Sequence, residues 1–292
     1  MALLLAPTAT VVFPTSRGID AVVQRALDED IGRGDLTTEA TVPSGTQATA
    51  EIVQKATGVL CGLPIVDTVF AQLDLNVRVS HEAAEGSYSQ GRRTVARIEG
   101  AAAAILSGER TALNFIQRLS GIATVSRKAT DLIQHTHAQV IDTRKTTPGL
   151  RVLEKYAVRV GGARNHRAGL DDGFLIKENH IRAAGGITRA VHAAQGRAAP
   201  GQIVEVEVTN LTELGEALQA GARLVLLDNF TTAGLREAVQ RAAGRARLEA
   251  SGGITLSNLV EVAETGVDFI SLGALTHSAG VLDFSLDLEV RP

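Results

Sequence analysis

The sequence predicts an α/β fold in which a small α+β unit precedes a parallel barrel or doubly wound sheet. Three observations carry this. Beyond His180, short apolar runs rich in Val, Leu and Ile alternate with helical stretches at a short repeat, as parallel strands and their crossover helices require. Between residues 48 and 99 the chain is β-rich and broken by turns at Gly58, Gly62, Gly86 and Gly91. Polar residues recur at the C-terminal ends of the predicted parallel strands, where a βα barrel presents side chains for chemistry.

Taken in order, Ile19, Val22, Val23, Ala26 and Leu27 repeat at helical spacing and predict an entry helix ending near Ile31, before the turn Gly32-Arg33-Gly34-Asp35. The pieces ATAEIV, LNVRVS and RRTVARIEG read as strands around a helical VDTVFAQL. Residues 107–133 read as a helix capped by Ser107, with Ala112, Ile116, Leu119 and Ala123 on one stripe and Gly121 as a point of interruption. This puts Arg110 in the first turn, where the helix dipole disfavours a cation unless an anion is near; a surface ion pair with Glu109 is the plainer alternative. Val140 to Asp142 predict a buried strand. Thr147 as cap and Pro148 as first residue then start a helix that carries Leu150, Leu153, Ala157 and Val160 and stops at Gly161-Gly162. Phe174 to Ile176 give a second strand. Further strands fall at 204–208, 224–227, 248–250 and 269–272, with helices at 211–220, 233–242 and 256–265. Six parallel strands are readable, and residues 163–167 can supply a short seventh.

Composition narrows the function. A chain of 292 residues with 45% hydrophobic content can bury a barrel core and a smaller domain. The formal charge of −3 argues against nucleic-acid binding, so clusters of Arg and Lys are better suited to a small anion. A lone cysteine, Cys61, excludes an intrachain disulfide and a Cys-rich zinc site and fits a reducing cytoplasm. The apolar opening MALLLAPTATVVFPT carries no basic residue ahead of its apolar run and is broken by Pro7 and Pro14, unlike a secretory signal. No run reaches the roughly 20 apolar residues of a membrane-spanning helix.

The densest chemistry lies between Val140 and His180. Thr143, Arg144 and Lys145 leave the first parallel strand, Asn165, His166 and Arg167 follow the diglycine, and Lys177 closes the second strand. Two strand ends therefore deliver cations to one neighbourhood. Glu207 and Asp228 end later strands and suit a divalent cation or sugar hydroxyls, or else structural salt bridges; Glu205 alternates with Glu207 as a counter-ion. Ser251-Gly252-Gly253, ahead of a helix expected from Thr255, suits a phosphate cradle, although a tight turn explains it equally in isolation. Gly273-Ala274 follows the last strand. His166 is either a hydrogen-bonded structural histidine or a catalyst.

Ordered along the chain, EDIGRGDLTTEAT, ERTALNFIQRLSGIAT, DTRKTTPGLRVLEKYAVRVGG, NHRAGLDDGFLIKENHI, EVEVTNLTEL, LLDN, EASGGITLSN and GVDFISLGALTHS resemble the quinolinate phosphoribosyltransferases, from about Ala26 to Leu288. The resemblance implies a leader at 1–18, an N-terminal α/β sandwich at 19–117 and a seven-stranded incomplete α/β barrel at 118–292, whose C-terminal strand returns to the N-terminal domain. It implies a cytoplasmic enzyme, acting on quinolinate and phosphoribosyl pyrophosphate with Mg2+ in a homodimer that shares its sites between subunits. Arg110 would reach quinolinate from the partner subunit. Arg144, His166, Arg167 and Lys177 would line the quinolinate pocket, Thr143 would be a further substrate-binding residue, and Lys145 would bridge to the donor. Glu207 and Asp228 would attend ribose and magnesium, with Lys145 counted beside them as catalytic. Ser251, Gly252, Gly253 and Leu272, Gly273, Ala274 would receive phosphate. Ala163 and Asp171 depart from the family pattern. The molybdenum-transport-associated relatives share the fold but differ at the LIK-x-NH segment. A Schiff-base aldolase using Lys145 or Lys177, and a sugar-phosphate sensor without turnover, are the rival classes.

Overall fold

The computed structural model describes residues 11–14 and 17–290. The opening residues read above as unlike a signal peptide fall largely outside this range. The chain forms two compact units. One contains Val11–Val125, Thr147–Gly161 and the segment from Ala279; the other contains Ser126–Thr146 and Gly162–Ser278.

In chain order, helices α1 (Arg17–Ile31) and α2 (Leu36–Thr41) lead into β1 (Gln47–Gln54), β2 (Gly58–Val59), α3 (Leu63–Leu73), β3 (Arg78–His81), β4 (Tyr88–Ser89), β5 (Arg93–Ala101) and the long α4 (Ala102–Leu132). There follow β6 (Gln139–Ile141), α5 (Arg151–Val160), β7 (Phe174–Ile176), α6 (Glu178–Ala184), α7 (Ile187–Gln195), β8 (Val204–Val208), α8 (Leu211–Gln219), β9 (Leu224–Asp228), α9 (Thr232–Ala242), β10 (Arg247–Ser251), α10 (Leu259–Ala263), β11 (Phe269–Ser271), α11 (Ala274–His277) and β12 (Phe284–Val290).

The first unit is built on an antiparallel sheet ordered β12-β1-β5-β3. Its strands alternate: Ala48, Ala50 and Ile52 of β1 and Ala96 and Ile98 of β5 are buried, while Arg97 and Glu99 face out. The chain's last strand closes the edge, pairing Ala48 with Val290 through to Gln54 with Phe284. Glu85 fastens α3 to this unit by accepting the amides of Gly62 (2.7 Å) and Leu63 (3.0 Å) at the helix start.

The second unit is a parallel sheet ordered β6-β11-β10-β9-β8-β7. The expected seventh strand is reduced to one parallel bridge between Arg164 and Ile141. Read around the sheet, the order is that of the chain made cyclic: the Arg164 segment, β7, β8, β9, β10, β11, β6 and back to Arg164. Among the described residues no ladder joins the Arg164 segment to β7, so the α/β barrel is incomplete along that seam. The strand interiors are near-continuous apolar runs, such as Leu224 to Leu227, as expected of parallel strands covered by helices on their outer face.

In α4 and α5 the structure departs from the expected starts and from an expected interruption. Helix α4 starts at Ala102, so Ser107 is no cap; its hydroxyl donates to Asp35, which caps α2 instead. Arg110 therefore lies beyond the first turn, which removes the dipole argument. Gly121 does not interrupt the helix: an added Cβ would lie 1.9 Å from the Gly280 carbonyl oxygen, so glycine permits a close backbone approach. Pro148 does not begin α5, because Gly149 takes φ 81° and turns the chain before Leu150, while Thr147 is captured by Glu154.

Candidate active site

The ends of successive parallel strands open onto one cavity of about 670 Å³. Thr143, Arg144 and Lys145 come from the end of β6, His166 and Arg167 from just beyond the Arg164 bridge, Lys177 from β7, Glu207 from β8, Asp228 from β9, and Ser251, Gly252 and Gly253 from β10. Residues separated by more than a hundred positions are thus brought together by the barrel's topology, and most of the residues expected from the sequence face the same space.

The loop that carries His166 and Arg167 is pinned from below. Asp142, fully buried, accepts the His166 amide (2.8 Å) with one oxygen and the Asn165 side-chain amide (2.7 Å) with the other. Arg167 donates through Nη1 to the Gly173 carbonyl (2.9 Å), and its buried Nε makes no hydrogen bond. Burial lowers the Arg167 pKa below the usual guanidinium value, and the adjacent charge of Arg144 lowers it further, against the opposing influence of Glu205 and Asp172. Arginine nonetheless stays protonated. Two neighbouring guanidiniums facing a cleft repel each other, and an anionic ligand between them relieves that cost.

Lys177 and Glu207 form an ion pair at the cavity wall. Lys177 is 49% exposed, so the cleft is open to water on this side. An ion-paired ammonium is also a poor Schiff-base nucleophile, which tells against Lys177 as the amine of an aldolase. Asp228 accepts from the side-chain amide of Asn229 (2.9 Å), and the Asn229 backbone amide donates to Ser251 (2.8 Å), tying the β9 and β10 ends together. Gly252 adopts φ 97°, and a Cβ there would fall 2.2 Å from Asn229 Oδ1; only glycine fits. The helix expected from Thr255 begins at Leu259 and is short, because Thr255 and Asn258 bond to each other in a turn. A helix dipole therefore adds nothing to the glycine loop.

On the cavity floor, His166 touches two carboxyl groups, Glu205 (2.8 Å) and Glu249 (3.6 Å), both with essentially no exposure. Burial pushes Glu205 up to about 7 and Glu249 well above the usual carboxylate range, with the Glu205 charge reinforcing the rise at Glu249. Facing the Glu205 charge and shut off from water, Glu249 is the member of the pair most favoured in its neutral form.

Several expected residues are not among those lining the cavity. Leu272 is buried and its amide donates to the Ile141 carbonyl (2.9 Å), while Gly273 borders the cavity, a Cβ there falling 3.2 Å from Lys145 Cδ. Arg110 is exposed on α4, in the first unit, and is not among the lining residues. Asp171 does not line the cavity either, and Ala163 is buried next to the bridge. Sequence reasoning missed Leu175, Leu226, Asn229, Glu249 and Ser271 as lining residues. For Glu249 the signal was present: a carboxylate within an apolar strand, two positions before Ser251 on the same face.

Two groups of side chains could hold a metal. Glu207 and Asp228 offer hard oxygen donors from adjacent strands, and the pair fits a magnesium ion bound mainly through a ligand's own oxygens. His166, Glu205 and Glu249 place one ligand atom each within 4.8 Å of one another. Their imidazole and complete burial are poorly matched to magnesium, which keeps several waters.

Models of the two domains of quinolinate phosphoribosyl transferase match this chain, the N-terminal domain over residues 35–120 and the C-terminal domain over residues 122–287. The probable nicotinate-nucleotide pyrophosphorylase (carboxylating) of Bacillus subtilis is 46% identical over 262 residues, covering 90% of each chain. The corresponding Mycobacterium leprae protein is 45% identical, covering 91% of this chain and 95% of its own. The solved structure of the nicotinate-nucleotide pyrophosphorylase from Francisella tularensis superposes with a TM-score of 0.91 at 41% identity, covering 98% of this chain and all of that one. Matched along both domains and alike in fold, the chain belongs to the quinolinate phosphoribosyl transferase family.

Proposed function

We propose that this protein transfers the phosphoribosyl group of phosphoribosyl pyrophosphate to the ring nitrogen of quinolinate, with loss of one carboxylate, giving nicotinate mononucleotide, pyrophosphate and carbon dioxide. The observation that carries this reading is the convergence of Arg144, Lys145, Arg167 and Lys177 on one cavity that also holds Glu207, Asp228 and a glycine loop. A pyridine dicarboxylate and a polyphosphorylated sugar both need charge-assisted hydrogen bonds to leave water, and guanidinium forks suit carboxylates best.

Arg144 and Arg167 grip the two carboxylates and orient the ring nitrogen toward the anomeric carbon. Lys145 spans toward the donor's phosphates. The C–O bond to pyrophosphate breaks as the C–N bond forms, through a transition state with positive charge on the ribose. Glu207 and Asp228 face that charge and stabilise it. Magnesium, bound with the donor, would neutralise the departing pyrophosphate, and Glu207 and Asp228 are the residues placed to steady it. Once alkylated, the positively charged ring nitrogen stabilises the electron pair that the breaking C–C bond leaves on the adjacent ring carbon; the carboxylate leaves as carbon dioxide, and that carbon takes up a proton from water entering the open cleft. Ser251 to Gly253 hold the sugar's phosphate through backbone amides. Arg110 reaches the quinolinate of a second subunit in a homodimer.

The test is direct. Purified protein with quinolinate, phosphoribosyl pyrophosphate and magnesium yields nicotinate mononucleotide and carbon dioxide in equal amounts. Nicotinate used as well as quinolinate would overturn the dicarboxylate pocket. Binding of both substrates without turnover would favour a sensor.

A further inference from the structure

The buried group at the cavity floor supports a more specific assignment, which rests on the reading of Arg167 as a carboxylate-binding residue. His166 lines the cavity, yet both of its ring nitrogens are committed inside the protein. Nδ1 accepts the backbone amide of Arg167 at 2.7 Å. An acceptor nitrogen bears no hydrogen, so the ring's hydrogen sits on Nε2, which donates to Glu205 Oε2 at 2.8 Å. Neither nitrogen then has a hydrogen left for a carboxylate ligand. We propose that His166 is a positioning residue: locked in the Nε2–H tautomer by buried Glu205, it holds the Arg167 backbone so that the guanidinium meets the substrate.

The surroundings fit such a part. His166 is 8% exposed, Glu205 is fully buried and Glu249 is 1% exposed. The His166 amide is fixed from the opposite side by Asp142 (2.8 Å). One residue therefore receives three restraints, at its amide and at both ring nitrogens, immediately before the arginine that must be aimed. Second-tier partners of this kind set a ring's orientation and that of the group it serves. Glu249 makes no hydrogen bond to the ring: its Oε2 lies 3.6 Å from Nε2, and Glu205 Oε2 is the acceptor. A glutamine at position 205 would offer an oxygen to His166 in the same place.

The test is a double-mutant cycle on the full chain, with quinolinate binding read by calorimetry and thermal midpoints recorded in parallel. Calorimetry needs no turnover, so a failed activity assay in the unaltered protein counts against the proposed function and leaves this inference separately measurable. Arg167→Ala and His166→Ala are each expected to weaken quinolinate binding by about tenfold or more. The double variant should bind no more weakly than Arg167→Ala alone, because His166 acts only through Arg167. Additive losses would overturn the proposal. Should His166→Ala fail to fold, two isosteres decide. His166→Asn keeps an acceptor near the Nδ1 position and should retain binding better than His166→Gln, which mimics Nε2; the reverse order overturns the assignment. Glu205→Gln should bind quinolinate nearly as tightly as the unaltered protein and Glu205→Leu should not; equal losses in both would exclude Glu205 as the acceptor that sets the tautomer.

Discussion

Arg144 and Arg167 illustrate how a side chain's surroundings decide its use. Each could end in a surface ion pair, but here they lie close enough for one charge to depress the other's pKa, on the wall of a shared cavity. A charged hydrogen bond lost to truncation is worth about 1.5–3 kcal/mol. Arg144→Ala and Arg167→Ala should therefore each raise the quinolinate KM by roughly ten- to a hundredfold, with a smaller effect on the donor's KM; steady-state kinetics with each substrate varied checks this, and an unchanged quinolinate KM removes the residue from the site. Gly252 makes the complementary case at the backbone. Gly252→Ala places a methyl group against Asn229 at a φ that side chains avoid, so the β9–β10 rim must shift. The expected result is a raised KM for phosphoribosyl pyrophosphate with quinolinate binding preserved, and calorimetry on both ligands separates the two.

At the level of the element, α5 shows how a helix can be legible while its start is not. Its apolar spacing, Leu153, Ala157 and Val160, marks the helix, and Gly161 stops it as expected. Thr147-Pro148 is a good local start signal, overridden by a partner distant in the fold. Buried Glu154 accepts Arg118 through both Nε (3.1 Å) and Nη2 (2.8 Å), and also takes the Thr147 amide (3.1 Å) and hydroxyl (2.7 Å). Arg118 further donates to the Ala279 carbonyl (2.9 Å), so one carboxylate ties α4, the Thr147 turn and the C-terminal segment into the first unit. No local pattern reveals such a junction, since its members are scattered along the chain. Glu154→Ala leaves the Arg118 charge with a buried partner missing and should cost about 1.5–3 kcal/mol, somewhat softened because Arg118 keeps some contact with water. Chemical denaturation measures this, and a loss below about 0.5 kcal/mol, the range of an ordinary surface change, would show that the junction contributes little.

On the scale of the whole molecule, the parallel barrel was readable because each strand is a short apolar run ending in a polar residue, and the cavity was readable because barrel chemistry collects at those ends. What stayed hidden was the layer below. The Asp142–Asn165 contact joins residues with no periodic relation. Glu249, a carboxylate inside an apolar strand, takes its meaning only from Glu205 and His166 beside it. This buried pair gives the fold a pH dependence whose sign can be worked out. Below the ordinary glutamate value of 4.5, folded and unfolded chains both hold these protons and the pair contributes no slope. As pH rises above that value the unfolded chain releases them, while the folded one retains the Glu249 proton because its pKa is raised. The folded state then binds more protons, so stability falls with rising pH, by about 1.4 kcal/mol per pH unit for each proton retained, until the folded pKa is passed. Glu249→Gln supplies a permanently neutral hydrogen-bonding group in the same place. Its stability relative to the unaltered protein should therefore improve steadily from pH 5 to pH 7.5 in parallel denaturation series. Curves that stay a constant distance apart across that range would mean that Glu249 retains no proton in the folded barrel.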